Sequence, residues 1–447
     1  MDDKKLKKKF GKQYGYEVLF KNQPAAAVGK TGVILGEIGM PEEYEPGFYS
    51  HFMAHVFEYT LPSFLVKMIL ADKGTGLIDP ENPIAHEEFK PRQLIDSDGS
   101  FTNKAGKPYV ECQVKWVKAD KKNHWDHGYF LYKGDGPNGR PDVCDKVGAK
   151  IIGWYYGHLL PEKKVSWRSQ LHKVYEEATC ELSKRFPGME FRSAYYMYPE
   201  TIKTAVEELL AAGCETIIYQ NFNCPVYSDF EDYGYSLVKT HEYVNGRAQV
   251  ILGDQIGNQS PMREGYCQIL RDQLNVIKED ASVLVILSRH GHPFKKETQD
   301  IRSHLYREPL EAGIRNVMAA WKGKWDVVWS FDEYADKYWD PKHTKLETYA
   351  AYRKAIESGY DYAIELPTEF SAENTDLMIF HAMKKFCAFS EYDRNAPVSY
   401  PDWEKPLVRT FREGKTTGIY AGCPVGPYRK YVAQAVVDSI SAVMGAN

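Results

Sequence analysis

The sequence predicts an α/β fold in two halves, each built on a mainly parallel sheet with flanking helices. Short apolar stretches of strand length alternate with longer amphipathic stretches along most of the chain, which is typical of parallel strands joined by right-handed crossovers. The predicted strands are 31–36, 190–196, 216–220 and 249–252 in the first half, and 282–288, 326–330 and 362–366 in the second.

Helices are predicted in the intervals between these strands, including one between 220 and 249. One helix begins at Pro199-Glu200, where proline is tolerated because its missing N–H would have no helical partner. The other predicted helices are 49–70, 162–186, 199–212, 261–279, 298–322, 343–358, 372–389 and 428–444.

The length of 447 residues and a hydrophobic fraction of 43% allow about two or three domains with a large core. A Lys-rich start indicates a solvated arm, and a stretch rich in Gly, Pro, Asp and Lys indicates an insertion. The predicted organisation is an arm at 1–27, a first domain at 28–250 with the insertion at 71–149, a second domain at 251–427, and a C-terminal helix at 428–447 that packs back on the body.

Charge and cysteine usage exclude several classes of protein. The net charge of −4 does not favour a nucleic-acid partner, and no apolar run is long enough to cross a membrane. The eight cysteines have no CxxC spacing, which argues against an iron–sulfur cluster and for free thiols in a reducing compartment. With no secretion signal visible, we expect a cytoplasmic protein.

A histidine follows the strand 282–288 in the segment Ser288-Arg289-His290-Gly291-His292-Pro293. In open parallel sheets, ligands bind beyond the carboxyl ends of the strands. A neutral imidazole there binds a divalent metal or accepts a proton near pH 7. The alternative, that His290 only caps a helix or satisfies loop backbone, stays open on position alone.

Three carboxylates, Glu369, Glu373 and Asp376, follow the strand 362–366. Glu373 and Asp376 are three residues apart and would share one face of a helix that starts here. Solvated acids of a first helical turn are the alternative. Aromatic residues follow other strands at the same predicted edge, which favours a flat aromatic-lined cleft; they are Tyr195, Tyr196, Tyr198, Tyr227 and Trp339.

These segments resemble, in order, those of the ferrochelatases over about 30–70 and 155–390. Gly39-Met40-Pro41 is similar to the family's glycine-x-proline turn, and Ser193–Pro199 to its pocket strand with a proline-started helix. Pro225–Ser228 resembles its proline-x-tyrosine-serine loop. The cobalt chelatases share this architecture and stay open as an alternative.

Two further segments carry the chemistry of the resemblance. Ser288–Pro293 is similar to the family's serine-alanine-histidine-glycine-leucine-proline segment, and His290 falls on its metal-site histidine. Phe370–Asp376 is similar to the segment with the catalytic glutamate, so that Glu373 falls on the acid and Asp376 on the glutamate. The departures include the shorter Asp376, Asn374 at the position of the family's histidine, Tyr195 at that of its pocket arginine, and Ile38 where relatives have a metal-facing side chain.

The resemblance implies two Rossmann-like halves around a central cleft, and a chelatase that inserts a divalent metal into a porphyrin-type tetrapyrrole. It implies His290 and Asp376 as metal ligands, with Asp376 and Glu373 handling protons. The implied tetrapyrrole contacts are Ile38, Met40, Tyr195, Tyr196, Tyr198, Tyr227, His292, Trp339 and Phe370.

The metal is expected as a substrate, Fe²⁺ first with Co²⁺ or Ni²⁺ as alternatives, and no nucleotide or iron–sulfur cofactor is expected. A protein that carries haem, or removes its metal, is an alternative from another functional class. A homodimer is left open, with the insertion 71–149 as one candidate interface.

Overall fold

The fold is described from a computed structural model and, over its described residues, comprises two sheets with helices between and outside them. The helix predicted at 49–70 and the insertion 71–149 lie outside the described residues, as do 1–22 of the predicted arm. The structure describes residues 23–37, 167–195, 199–222, 224, 239–290, 303–332, 335, 344–374, 377, 389–391 and 403–445.

The first sheet has four parallel strands, and their order confirms the predicted crossovers. β1 lies between β2 and β3, and β4 pairs with the free side of β3. Val33, Ile34 and Leu35 of β1 are all buried, as expected for a strand covered on both faces. The elements of this half are β1 (Thr31–Glu37), α1 (Trp167–Arg185), β2 (Glu190–Tyr195), α2 (Pro199–Ala211), β3 (Thr216–Asn221) and β4 (Gln249–Leu252), with a further helical stretch at 239–244.

The second sheet has five strands in the order β6-β5-β7-β9-β8, of which only β8 is antiparallel to its neighbour. The strand β5 lies next to both β6 and β7, so loops from three strands meet beyond its end. The elements are α3 (Ser260–Leu274), β5 (Val283–Arg289), α4 (Ser303–Ala319), β6 (Trp325–Phe331), α5 (Thr348–Glu357), β7 (Tyr362–Pro367), β8 (Arg409–Glu413), β9 (Thr416–Tyr420) and α6 (Arg429–Val443).

The hairpin of β8 and β9 was missed, since the sequence predicts no element between helices 372–389 and 428–444. The two strands are joined by the two-residue turn Gly414-Lys415. Gly414 has φ +61°, the left-handed conformation that tight hairpin turns require and glycine adopts readily. The turn signal was therefore present, but the flanking strands are short and carry exposed polar residues.

Several predicted helices are longer than the observed ones, and two of them show this most clearly. The helix expected at 343–358 begins only at Thr348, because Glu347 forms an extended bridge to Phe331. The helix expected at 261–279 ends at Leu274. Within the described part of the chain, no helix is long and apolar enough to span a membrane.

Each sheet has one face toward a shared helical layer and one face toward an outer helix. Val33 of β1 and Val285 of β5 belong to one core cluster, which also contains residues of α1, α3, α4 and α6. The outer face of the first sheet packs with α2, and the outer face of the second packs with α5. The α/β fold with two parallel-dominated sheets is thus confirmed, and the two halves share one hydrophobic core.

The C-terminal helix α6 packs against α1 and α3 in this shared layer. The amide N–H of Ala27 donates to the carbonyl of Val443 at 3.2 Å. The Ser439 hydroxyl donates to Gln220 Oε1 at 2.7 Å, at the end of β3. The chain end is therefore attached to the first half, although it follows the second in sequence; the predicted boundary at 250 stays a prediction.

Candidate active site at the carboxyl edge of the second sheet

The carboxyl ends of β5, β6 and β7 lie side by side, because all three strands are parallel. In register, Ser288 of β5 is opposite Ser330 of β6 and Pro367 of β7. The residues that follow these positions therefore share one edge of the sheet. That edge is where open parallel sheets bind their ligands.

His290, the predicted metal ligand, follows the last residue of β5 and is half-buried. Its backbone N–H donates to Glu369 Oε2 at 3.0 Å. Its ring meets the ring of Phe370 in an edge arrangement, with centroids 6.0 Å apart and an interplanar angle of 73°. Two consecutive residues of the loop after β7 thus hold the histidine.

Glu369 also forms a buried ion pair with Arg289. Arg289 Nε lies 2.5 Å from Glu369 Oε1, and the two side chains are only 3% and 2% exposed. The guanidinium also lies over the ring of Phe331, 5.0 Å from its centroid. Burial of both charges is tolerated because each carries the other's counter-charge in good hydrogen-bonding geometry.

A small polar network at the end of β6 holds the backbone on the other side of His290. The N–H of Asp332 donates to the carbonyl of Arg289 at 2.6 Å. Asp332 Oδ1 accepts the Thr348 hydroxyl at 2.7 Å, and Ser330 Oγ is 2.8 Å from Thr348 Oγ1. The chain is therefore held immediately before His290 as well as at it.

The segment that carries Glu369 is fixed by two tyrosines from the shared helical layer. The Tyr266 hydroxyl lies 2.8 Å from the carbonyl of Pro367 and 2.5 Å from that of Phe370, so its single proton is shared between the two. The Tyr306 hydroxyl donates to the carbonyl of Thr368. Burial raises the pKa of both phenols well above the usual value, so they remain protonated donors at neutral pH.

The first half reaches this edge through Cys224, which follows β3 and is fully buried. Its thiol is hydrogen-bonded with Tyr266 and Tyr306, and burial raises the pKa of the thiol, with the charge of Glu369 adding to the effect. The thiol is therefore protonated at neutral pH and acts here as a hydrogen-bonding group. Gly257 passes close by, and a Cβ there would lie 2.7 Å from the ring of Tyr306.

Glu373 is buried and has protein donors on both carboxylate oxygens. Oε2 accepts the Tyr420 hydroxyl at 2.8 Å, and Oε1 accepts the N–H of Cys423 at 2.7 Å. Its own backbone N–H donates to Gln170 Oε1 of α1 at 2.9 Å. Glu373 therefore joins the loop after β7 to the loop after β9 and to the first half; its predicted catalytic role stays a prediction.

Four of the predicted site residues lie within the described part of the chain. His290, Phe370 and Glu373 are at the edge of the second sheet, and Tyr195 is the last residue of β2 in the first sheet. The N–H of Tyr195 donates to Thr201 Oγ1 at 2.8 Å, which fixes the start of α2. The others lie outside the described residues; they are Ile38, Met40, Tyr196, Tyr198, Tyr227, His292, Trp339 and Asp376.

Arg289 was not predicted as a site residue, although its neighbour His290 was. Glu369 was considered only as one of three carboxylates after the strand 362–366. Among the described residues, no group of three or more His, Cys, Asp or Glu is arranged to hold a metal ion. The described part of the site is thus one half-buried histidine with a buried ion pair behind it.

Comparison with known proteins gives structural similarity only. No protein-family model and no curated protein sequence matches the chain significantly. SirB from Bacillus subtilis with Fe³⁺ is 10% identical, with a TM-score of 0.38, over 62% of this chain and 90% of that one. The sirohydrochlorin chelatase SirB from Bacillus subtilis subspecies spizizenii with cobalt is 13% identical, with a TM-score of 0.33, over 61% and 90%.

A solute-binding protein of an ABC transporter from Clostridium phytofermentas, with bound L-rhamnose, is 12% identical, with a TM-score of 0.25, over 62% of this chain and 78% of that one. Both the chelatases and this sugar-binding protein are therefore similar to the chain at low identity. Since proteins with one fold carry out many functions, function has to be argued from the site.

Proposed function

We propose that the chain is a metal–tetrapyrrole chelatase, which inserts a divalent ion, Fe²⁺ first, into a porphyrin-type macrocycle. The observation that carries the proposal is the setting of His290. It is half-buried at the carboxyl end of β5, with its backbone N–H on Glu369 and its ring against Phe370. The ordered resemblance to the ferrochelatase segments supports the same assignment for this histidine.

Metal insertion sets requirements that this arrangement is suited to meet. The ion must lose water ligands one by one, which favours a weak ligand such as a single imidazole over a closed site of three or four donors. The two pyrrole N–H protons need an acceptor, and we assign this to Asp376. Phe370 supplies an aromatic face beside His290 for a planar macrocycle.

The experiment is an anaerobic visible-absorbance assay of the purified chain. Coproporphyrin, protoporphyrin and sirohydrochlorin are each offered with Fe²⁺, Co²⁺, Ni²⁺ and Zn²⁺. We expect turnover with at least one pair, and loss of turnover in His290→Ala and Asp376→Ala. His172→Ala is the matched control, because His172 is an exposed histidine on α1.

The outcomes separate the candidate functions. Turnover identifies a chelatase and its metal, and a preference for Co²⁺ would favour the cobalt alternative over Fe²⁺. Tight binding of haem or porphyrin without turnover would favour the carrier or metal-removal alternative. Full rates in both His290→Ala and Asp376→Ala would show that the assigned residues are wrong.

A further inference from the structure

We propose that Glu369 is a positioning residue for His290, whose backbone N–H it accepts, and that Arg289 serves to neutralise the buried Glu369 carboxylate. The inference rests on the proposed function in one respect, since it takes His290 as a metal ligand. It assigns a role to an ion pair that the chemistry of metal insertion does not itself use.

The two oxygens of the Glu369 carboxylate have different partners. Oε1 is held by Arg289 Nε at 2.5 Å, and Oε2 accepts the backbone N–H of His290 at 3.0 Å. A carboxylate is planar, so fixing one oxygen and the chain also fixes where the other points. The acceptor at position 369 therefore holds the amide from which the His290 side chain projects.

The backbone of Glu369 is held as firmly as its carboxylate. The carbonyls of Pro367, Thr368 and Phe370 each accept a tyrosine hydroxyl. Thr368 Oγ1 donates to the carbonyl of Ser288 at 2.9 Å, which ties the loop after β7 to the end of β5. Glu369 is thus a rigid link between two parallel strands, and His290 is attached to it.

The charge of the pair is not needed for this positioning, and that makes the proposal testable. Removing one partner of a buried ion pair leaves an unpaired charge, whereas replacing both by neutral groups of similar shape is often tolerated. A neutral pair that keeps an acceptor for the His290 N–H should preserve the site. A neutral pair without the acceptor should not.

The test compares R289M/E369Q with R289M/E369L, two double variants of similar size of which only the first offers an acceptor to the His290 N–H. Binding of Co²⁺ alone is measured by titration of the full chain, and the part lost in His290→Ala is assigned to His290. We expect R289M/E369Q to stay within about threefold of the unmodified chain, and R289M/E369L to bind about tenfold or more weakly. Thermal midpoints confirm that both variants fold, and R289M/E369L should have the lower one, because the His290 N–H has lost its acceptor.

If R289M/E369L does not fold, R289M/E369N replaces it, since the asparagine amide ends one methylene short of the His290 N–H. Equal Co²⁺ affinity in the variants with and without the acceptor would overturn the positioning role and leave the function of His290 intact. Co²⁺ binding that is unchanged in His290→Ala would instead remove the metal role of His290, and with it the proposed function.

Discussion

The carboxyl edges of the two sheets are stabilised by different chemistry. At the first edge, Gln220 donates to the carbonyls of Asn221 and Asp254, each at 3.0 Å, and accepts the Ser439 hydroxyl. At the second edge, the buried groups include the paired charges of Arg289 and Glu369. Neutral amides join segments at low cost, whereas buried charges cost desolvation that only precise pairing offsets.

The two edges also differ in whether their contacts reach a predicted site residue. Gln220 connects β3, the segment after β4 and the C-terminal helix α6, and none of these contacts involves a predicted site residue. Glu369 accepts the backbone N–H of His290, and Arg289 is paired with Glu369. We therefore expect changes at the first edge to affect stability alone, and changes at the second to affect stability and metal binding.

The largest effect is expected for Arg289→Met, which leaves the Glu369 carboxylate buried without its counter-charge. The free energy of unfolding, measured by urea titration at neutral pH, should fall by about 3–5 kcal/mol. Arg247→Met is the control, because Arg247 forms a bidentate but exposed pair with Glu207 and should change little. Equal effects in the two variants would contradict the role given to burial.

The second-largest effect on stability is expected for Glu373→Leu. This change leaves the Tyr420 hydroxyl and the Cys423 N–H buried without their acceptor. We expect a loss of about 3 kcal/mol in the free energy of unfolding. Glu373→Gln keeps one acceptor oxygen and should lose about 1 kcal/mol. If Glu373→Gln keeps that stability but abolishes chelatase turnover, the catalytic role predicted for Glu373 gains support over a purely structural one.

Gln220→Met tests the first edge with a side chain of similar length. Ser439 loses one of its two acceptors and the carbonyls of Asn221 and Asp254 each lose a donor, so we expect the free energy of unfolding to fall by about 1–2 kcal/mol. Co²⁺ binding assigned to His290 should not change. A weaker Co²⁺ affinity in Gln220→Met would contradict the expectation that changes at the first edge affect stability alone.

At the second edge, the sequence predicts the strand and its histidine but not the buried ion pair. β5 was predictable because Val283–Leu287 is a continuous apolar run, the pattern of a parallel strand buried on both faces. His290 was predictable because it follows that run. The Arg289–Glu369 pair was not, because its members are 80 residues apart and only the pairing of β5 with β7 brings them together.

The hairpin β8–β9 was missed for a different reason, because its strands have a weak apolar pattern. Phe411 faces the core, but Thr410 and Arg412 on either side are exposed, and Gly418 has no side chain to reveal its burial. Five-residue strands with so few apolar residues give a weak periodic signal. Their place in the fold is set by the pairing of β9 with β7 in the second sheet, a contact that the sequence pattern does not show.

The smallest expected effect is on the pH dependence of stability, through Tyr420. Burial raises the pKa of Tyr420 well above its usual value, and the charge of Glu373 adds to the shift. A group with a raised folded pKa contributes stability that is complete below its unfolded pKa of about 10 and is lost as the pH rises further. Above about pH 10, each such phenol steepens the fall in the free energy of unfolding by up to ~1.4 kcal/mol per pH unit.

Tyr420→Phe removes one of these phenols and should make that fall shallower by up to the same amount. Urea unfolding at several pH values between about 8 and 11 measures the slope in the two proteins. Below about pH 9 the two curves should run parallel, offset by the lost hydrogen bond to Glu373. Parallel curves at all pH values would mean that Tyr420 ionises as easily in the folded chain as in the unfolded one, which would contradict the burial described for its hydroxyl.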